Sequence, residues 1–170
     1  MQSSEYQKII EALLFTSPEP LTQARVNGVF DREAPNLKEV VGELNDLYEK
    51  EDHAFEIKQI AGGYQLVSRP EYEHFIRRLL NKSGRLALSS AGLDTLAIIA
   101  YKQPIGRYEV EAIRGVDSSG VIKTLLNRNL LKIKGRGTGP GRPLLYQTTK
   151  NFLEHFGLNR LSDMPKLKEI

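Results

Sequence analysis

The sequence predicts a mainly α-helical chain with small β-hairpins, an α+β fold made of two tandem winged-helix (helix-turn-helix-like) domains. Between residues 93 and 149, three short helical patterns precede two strand-like runs, 131–134 and 143–148. A loop of Gly, Arg, Thr and Pro at 135–142 separates these runs and predicts the flexible wing. The same order of elements recurs in the N-terminal half, which is the second observation behind the prediction.

The N-terminal half begins with three helical patterns. Residues 4–16 carry isoleucine and leucine at helical spacing, and Thr22 can cap a short second helix. Asn36 followed by Glu39 resembles a capping box, which predicts the start of a third helix. The apolar positions of this third helix recur at the helical period: Leu37, Val40, Val41, Leu44, Leu47 and Tyr48.

A hairpin and a fourth helix complete this half. Phe55 and Ile57 alternate with polar residues, which is the period of a strand. The pair Gly62-Gly63 predicts a tight turn, because both glycines can adopt positive φ. Pro70 suits the first position of the next helix, which is expected to continue to residue 80.

The second half repeats this order. A serine at 89 or 90 can cap its first helix, and residues 107–114 form a second helix that Gly115 closes. The third helix is predicted at 119–129, followed by the hairpin and a last helix at 151–156. Setting Pro20 against Pro104 aligns the two halves. The alignment pairs Leu21 with Ile105, Val26 with Val110 and Val29 with Ile113.

The most linker-like segment lies around Ser83-Gly84, so three regions are predicted. They are residues 1–82, residues 83–158 and a tail at 159–170. Residues 1–80 contain 9 basic and 14 acidic residues, a net charge of −5, whereas residues 81–170 contain 15 and 7, a net of +8. Such an asymmetry suggests two domains with different partners.

Several classes of chemistry lack support in the sequence. The chain has no cysteine, which excludes disulfides and thiolate metal sites, and its three histidines show no metal-ligand spacing. The glycine-rich loop at 135–142 has no GK[ST] and lies between two strands, unlike a phosphate loop. No apolar run approaches the roughly 18 residues that cross a membrane. We therefore expect no enzymatic activity, cofactor, metal or membrane partner.

The basic half leaves two kinds of partner open. Between Asp117 and Glu154 there are seven basic residues and no acidic one. A DNA-binding regulator would use helix 119–129 and the wing 135–142 to contact phosphates and bases. That helix is rich in apolar residues, however, and Leu144, Leu145 and Tyr146 follow each other on the last strand. An apolar face beside basic residues suits a protein segment at least as well.

Long stretches of the chain resemble segregation and condensation protein B, the ScpB family. They are IIEALLFTSPEPLT, GGYQLVSRPEY, LDTLAIIAYKQPIGRYEVEAIRGVDSSGVIKTLLNRNLL and GRPLLYQTTKNFLEHFGL. The resemblance runs from about Tyr6 to Leu167, and the wing GRGTGPGR is family-like only at its ends.

The resemblance implies a non-enzymatic subunit of the bacterial condensin complex, cytoplasmic and nucleoid-associated. In that complex an SMC ATPase is joined by the kleisin ScpA, and a ScpB homodimer binds the central part of the kleisin. Dimerisation is assigned to residues 1–82 and a kleisin contact to residues 83–158. A weak or indirect DNA contact that assists the complex stays open as a further alternative.

The residues expected near the partner-binding surface of the second domain are aromatic, basic or apolar. They are Tyr101, Lys102, Tyr108, Arg114, Arg128, Arg136, Arg142, Leu144 and Tyr146. A place in the buried core is the alternative for the aromatic members of this set.

Overall fold

A computed structural model describes residues 3–30, 33–80, 88–139 and 141–166. The chain divides into two compact units. The first contains Met1–Ser83 together with Gly157–Ile170, and the second contains Gly84–Phe156. The described part of the predicted tail, residues 159–166, is grouped with the first unit.

In its described residues, the first unit consists of helices followed by an antiparallel hairpin. The helices are α1 (Ser3–Thr16), α2 (Gln23–Asn27), α3 (Leu37–Lys50) and α4 (Glu73–Leu80); the strands are β1 (Phe55–Ile60) and β2 (Gly63–Ser68), and a 3-10 turn at Pro70–Tyr72 precedes α4.

The predicted caps of α2 and α3 are confirmed. The side chain of Thr22 accepts a hydrogen bond from the backbone N–H of Arg25. The Asn36 Oδ1 accepts from the N–H groups of Lys38 and Glu39, which would otherwise lack a partner at the start of a helix. The Glu39 carboxylate accepts from the Asn36 side-chain amide, so only half of a capping box forms.

The core of the first unit lies between α1, α3 and the hairpin. Tyr48 is buried in it, and its hydroxyl donates a 2.7 Å hydrogen bond to the Glu11 carboxylate. Most of the predicted α3 stripe is buried, but Leu47 is 41% exposed. The predicted apolar stripe thus includes one residue, Leu47, that is exposed. Helical spacing alone does not show how far the buried surface extends around a helix.

The turn of the first hairpin lies one residue earlier than the glycine pair predicts. Ala61 and Gly62 have φ of 50° and 80°, whereas Gly63 begins β2 opposite Ile60. Positive φ at both central residues matches a two-residue type I′ turn. Residues after the last helix support this turn: the N–H of Ala61 donates to the Leu158 carbonyl (2.9 Å), and the N–H of Gly62 donates to Asn159 Oδ1 (3.0 Å).

In its described residues, the second unit has the winged-helix order. Its helices are α5 (Ser90–Lys102), α6 (Arg107–Arg114), α7 (Ser119–Asn127) and α8 (Lys150–Phe156); its strands are β3 (Ile105–Gly106), β4 (Leu131–Arg136) and β5 (Leu144–Thr148). The strands form an antiparallel sheet in the order β3-β5-β4. Ser89 caps α5, and Gly115 ends α6 with a left-handed φ of 73°. The fold class predicted from sequence is confirmed.

The structure also supports the alignment of the two halves. Ile105 pairs with Tyr146 across β3 and β5, and Leu21 forms an isolated antiparallel bridge with Tyr64 of β2. The aligned residues Leu21 and Ile105 thus make the same contact with the second strand of their own hairpin. In the described ranges, no helix is both long enough and apolar enough to span a bilayer.

Candidate partner-binding surface

A groove of about 340 Å³ opens on the second unit between α6, α7 and β5. Its lining combines apolar side chains with two cations. The lining residues are Arg107, Tyr108, Ser119, Ile122, Lys123, Leu126, Pro143, Leu144 and Tyr146.

The sheet register explains why the start of α6 lies beside β5. Ile105 faces Tyr146 and Gly106 faces Leu145, so the chain runs antiparallel to β5 until α6 begins. The next residues, Arg107 and Tyr108, therefore lie next to Leu144. On α7, the groove-lining residues are spaced three and four apart, which places them on one helix face.

The floor of the groove is apolar and its rim is mixed. Ile122 and Tyr146 are buried, Leu144 is half-buried, and Tyr108 is 68% exposed. Aromatic residues are enriched in protein interfaces, and a few well-packed side chains supply most of the binding energy there. The groove can thus remove apolar side chains of a partner from water.

The Arg107 guanidinium lies over the exposed ring of Tyr108. Its Cζ lies 4.9 Å from the centroid of the Tyr108 ring, and its Nε lies 3.7 Å from Glu111 Oε1. The pKa of Arg107 is raised, first by the hydrogen bond with Tyr108 and then by the Glu111 charge. Lys123 is exposed on the opposite wall and, within the described residues, forms no ion pair.

The beginning of α7 is held by a polar cluster. Arg114 Nη1 donates to the buried Ser118 Oγ (2.9 Å), and the Ser118 N–H donates to Glu111 Oε1 (3.2 Å). Asp117 accepts from both the N–H and the hydroxyl of Ser119, and the side-chain bond is the main reason why the Asp117 pKa is lowered. This cluster fixes the α7 face that lines the groove.

The register of β4 and β5 places a third cationic residue, Arg136, beside the groove. Arg136 is the Cα partner of Leu144, and Ile133 is the partner of Tyr146. Because opposed residues in an antiparallel pair point to the same side, Arg136 lies on the face of the sheet that forms the groove. Its Nη1 donates to the Arg142 carbonyl (3.1 Å), which ties it to the wing.

The structure brings together only part of the residue set predicted from sequence. Tyr108, Leu144 and Tyr146 line the groove. Arg128 is exposed after α7 and lines a second cavity of about 280 Å³ between the start of α5 and α7. Arg142 is exposed in the wing with φ of 43°.

The other predicted residues lie elsewhere in the second unit. Tyr101 and Lys102 are at the end of α5, where Tyr101 is half-buried and Lys102 is exposed. Arg114 is half-buried and bonded to Ser118, so its contacts are internal to the unit. None of these three residues lines the groove, so the groove does not support the predicted contact of these residues with a partner.

Six groove residues were not among the predicted partner-binding residues: Arg107, Ser119, Ile122, Lys123, Leu126 and Pro143. The signal for Arg107 was the alignment of Ile105 with Leu21. A short strand at 105, paired with the last strand of the hairpin, brings the following residue beside Leu144. For Pro143 the only sequence signal was its place directly before that strand.

Comparisons with known proteins identify the family of the chain. A family model described as "Segregation and condensation complex subunit ScpB" matches residues 8–167. "Segregation and condensation protein B" of Syntrophotalea carbinolica is 44% identical over 99% of this chain and 85% of its own length. The protein of the same name from Desulforamulus reducens is 47% identical, over 94% of this chain and 88% of its own.

Among solved structures, the crystal structure of ScpB from Mycobacterium tuberculosis is 28% identical, with a TM-score of 0.44 over 93% of this chain and 98% of that one. The family model covers most of the sequence, and both curated relatives match nearly all of it. The chain therefore belongs to the ScpB family of chromosome segregation and condensation subunits.

Proposed function

We propose that the protein is a non-enzymatic subunit of a bacterial SMC-kleisin condensin complex, which binds the kleisin ScpA as a homodimer in the cytoplasm, at the nucleoid. The observation that carries this proposal is the groove of the second unit. It offers apolar floor residues and cationic walls on a surface built by three elements. Through the kleisin, the chain would be joined to the SMC ATPase.

The groove favours a segment that carries both apolar and acidic side chains. Ile122, Leu126 and Leu144 can cover apolar groups, while Lys123 and Arg136 stand beside them with exposed charges. Charge complementarity accelerates association and fixes orientation, and buried apolar anchors supply most of the affinity. A kleisin segment with both features fits this surface.

A DNA-reading regulator is less well supported. Lys123, Asn127 and Arg128 are exposed on or just after α7, but the part of this helix that lines the groove includes the aliphatic residues Ile122 and Leu126. Aliphatic side chains cannot make the hydrogen bonds that read base edges, whereas they suit an apolar segment of a protein.

The homodimer is supported by α4 of the first unit. Phe75 is 62% and Leu79 is 74% exposed, although both belong to the apolar side of an amphipathic helix. Acidic residues precede and begin α4, and Arg77 and Arg78 lie near its end. Two antiparallel copies of α4 would place the acidic end of each against the basic end of the other. This arrangement suits a twofold interface between identical chains.

The direct test is to mix the full-length chain with full-length ScpA and measure the masses by size-exclusion chromatography with light scattering. We expect the chain alone to have twice its monomer mass and the mixture to give a complex with two copies of the chain per kleisin. Failure to form any complex with ScpA would reject the proposed function. A complex with a single copy would reject the homodimer alone.

A further inference from the structure

We propose that cations of β4 and the wing bind the phosphate backbone of duplex DNA without reading its sequence. This β4–wing strip consists of Lys132, Lys134, Arg136 and Arg142. All four residues are exposed. The inference goes beyond kleisin binding, because it gives the subunit a contact with DNA of its own.

Some cationic residues elsewhere in the chain are paired with carboxylates. Lys58 lies 2.9 Å from Glu56, Lys150 lies 3.4 Å from Glu154, and Arg77 is paired with Glu73. In contrast, the ion pairs among the described residues include no member of the strip. The sequence itself contains no acidic residue between Asp117 and Glu154. The positive charge of the strip is therefore not compensated by carboxylates of its own unit.

The strip has the dimensions of a phosphate-binding surface. Within the described residues β4 pairs only with β5, so one edge of the strand is open. Residues 132–136 are all exposed and span about 13 Å at the rise of an extended strand. Lys132, opposite Gln147, and Arg136, opposite Leu144, lie on different faces of the sheet, so a phosphate backbone would have to lie along the open edge, where long side chains from both faces can reach it. Each DNA strand presents one phosphate per about 3.4 Å of helix axis, so the strip can contact three or four phosphates there.

The backbone geometry favours phosphates over an added peptide strand. A peptide that extends the sheet needs a regular row of N–H and C=O groups along β4. The register shifts between Ile133 and Gly135, which places a β-bulge at Lys134 and interrupts that row. Contacts from side-chain ammonium and guanidinium groups to phosphates do not depend on the strand register.

The composition of the wing favours the backbone of DNA over its bases. Gly137, Gly139 and Gly141 have no side chain that could reach a base edge, and Thr138 is the one short polar group among them. The Arg136 guanidinium is already bonded to the Arg142 carbonyl. Contacts of this type position a protein on DNA but carry no sequence information.

The test measures binding of the full-length chain to a random-sequence DNA duplex by fluorescence anisotropy at several salt concentrations. Four phosphate contacts predict a slope of about −3.6 for log K against log salt, since each contact contributes about −0.9. The double variant Lys132→Gln/Lys134→Gln should reduce this slope to about −1.8. The matched control, Lys38→Gln/Lys50→Gln, removes two exposed lysines of the first unit and should leave the slope unchanged.

Three results would overturn the proposal. The first is an absence of duplex binding at low salt with about 0.1 mM protein, a concentration that matches the weak end of non-specific affinities. The second is an equal loss of slope in both double variants. The third is competition by polyglutamate with DNA for the strip at equal charge concentration. The last result would identify an acidic peptide as the ligand.

Lys132→Arg/Lys134→Arg should bind DNA like the unaltered chain, and thermal unfolding verifies that each variant is folded. Neither lysine lines the groove, so ScpA binding should persist in Lys132→Gln/Lys134→Gln.

Discussion

Leu21 and Tyr64 exchange both of their backbone hydrogen bonds, at 2.7 and 2.8 Å, although they are 43 positions apart in the sequence. The bridge ties the segment before α2 to the hairpin of the first unit. It brings Pro20 and Leu21 so close to Gly63 that a Cβ atom on Gly63 would lie 2.9 Å from the Leu21 carbonyl oxygen. Gly63 is thus required for close approach, whereas the positive φ of the turn belongs to Ala61 and Gly62.

Gly63→Ala should destabilise the first unit by about 1–3 kcal/mol, the usual cost of overpacking, because backbone atoms cannot move aside as a flexible side chain can. Gly42→Ala is the matched control. A Cβ at Gly42 in α3 meets nothing within 4 Å, and alanine favours the helix by about 0.5–1 kcal/mol. Urea unfolding of both variants measures the two changes. Equal stability of Gly63→Ala and the unaltered chain would contradict the close approach.

Tyr48→Phe should lower the free energy of unfolding by about 1.5 kcal/mol at about pH 7, because the buried hydroxyl loses its bond to the Glu11 carboxylate. Burial, followed by this bond, raises the pKa of Tyr48. The folded state therefore retains the proton where the unfolded state loses it, and the stabilisation is complete below about pH 10 and declines above it. Urea unfolding at about pH 7 and pH 11 should show that decline in the unaltered chain and a smaller one in Tyr48→Phe. Parallel declines would contradict the assignment to Tyr48.

Phe75→Glu/Leu79→Glu should convert the homodimer into a monomer, since charges would replace the apolar face of α4. Light scattering over a range of protein concentrations measures the mass.

Phe15→Glu serves as the control, because Phe15 of α1 is 79% exposed and the substitution is of the same kind. It should leave the dimer intact. Dissociation by Phe15→Glu but not by the α4 variant would place the dimer surface on α1.

Local signals in the sequence predicted the helices well. Thr22, Asn36 and Ser89 cap helices where short-range patterns place them, because a capping bond links residues two or three positions apart. The two-residue strand β3 and the position of the first turn were missed. Both depend on contacts with residues that are distant in the sequence, since β3 pairs with β5 and the turn is bonded to Leu158 and Asn159. No local pattern specifies such contacts.

The groove was predictable only in part. Leu144 and Tyr146 stand out as an apolar pair on a strand, and their alternation suggests one shared face. Arg114 was expected at a surface for partners, but it is held by the buried Ser118 hydroxyl. The sequence shows that Arg114 is charged. It does not show that an internal acceptor takes up its hydrogen bond, because this depends on how α6 packs against the start of α7.

The central claim is that the groove binds the kleisin. Leu144 lines the groove, whereas Leu145, also half-buried, is the Cα partner of Gly106 and Gly135 on the other face of β5. Leu144→Asp and Leu145→Asp therefore make the same chemical change on opposite sides of one strand. Thermal unfolding establishes that both variants are folded before binding is compared.

Isothermal titration of ScpA into the unaltered chain and both variants gives the decisive comparison. We expect Leu144→Asp to weaken binding by about tenfold or more, which corresponds to about 1.4 kcal/mol, and Leu145→Asp to leave it close to the unaltered value. Equal affinities of the two variants for ScpA, or a loss confined to Leu145→Asp, would contradict kleisin binding in the groove.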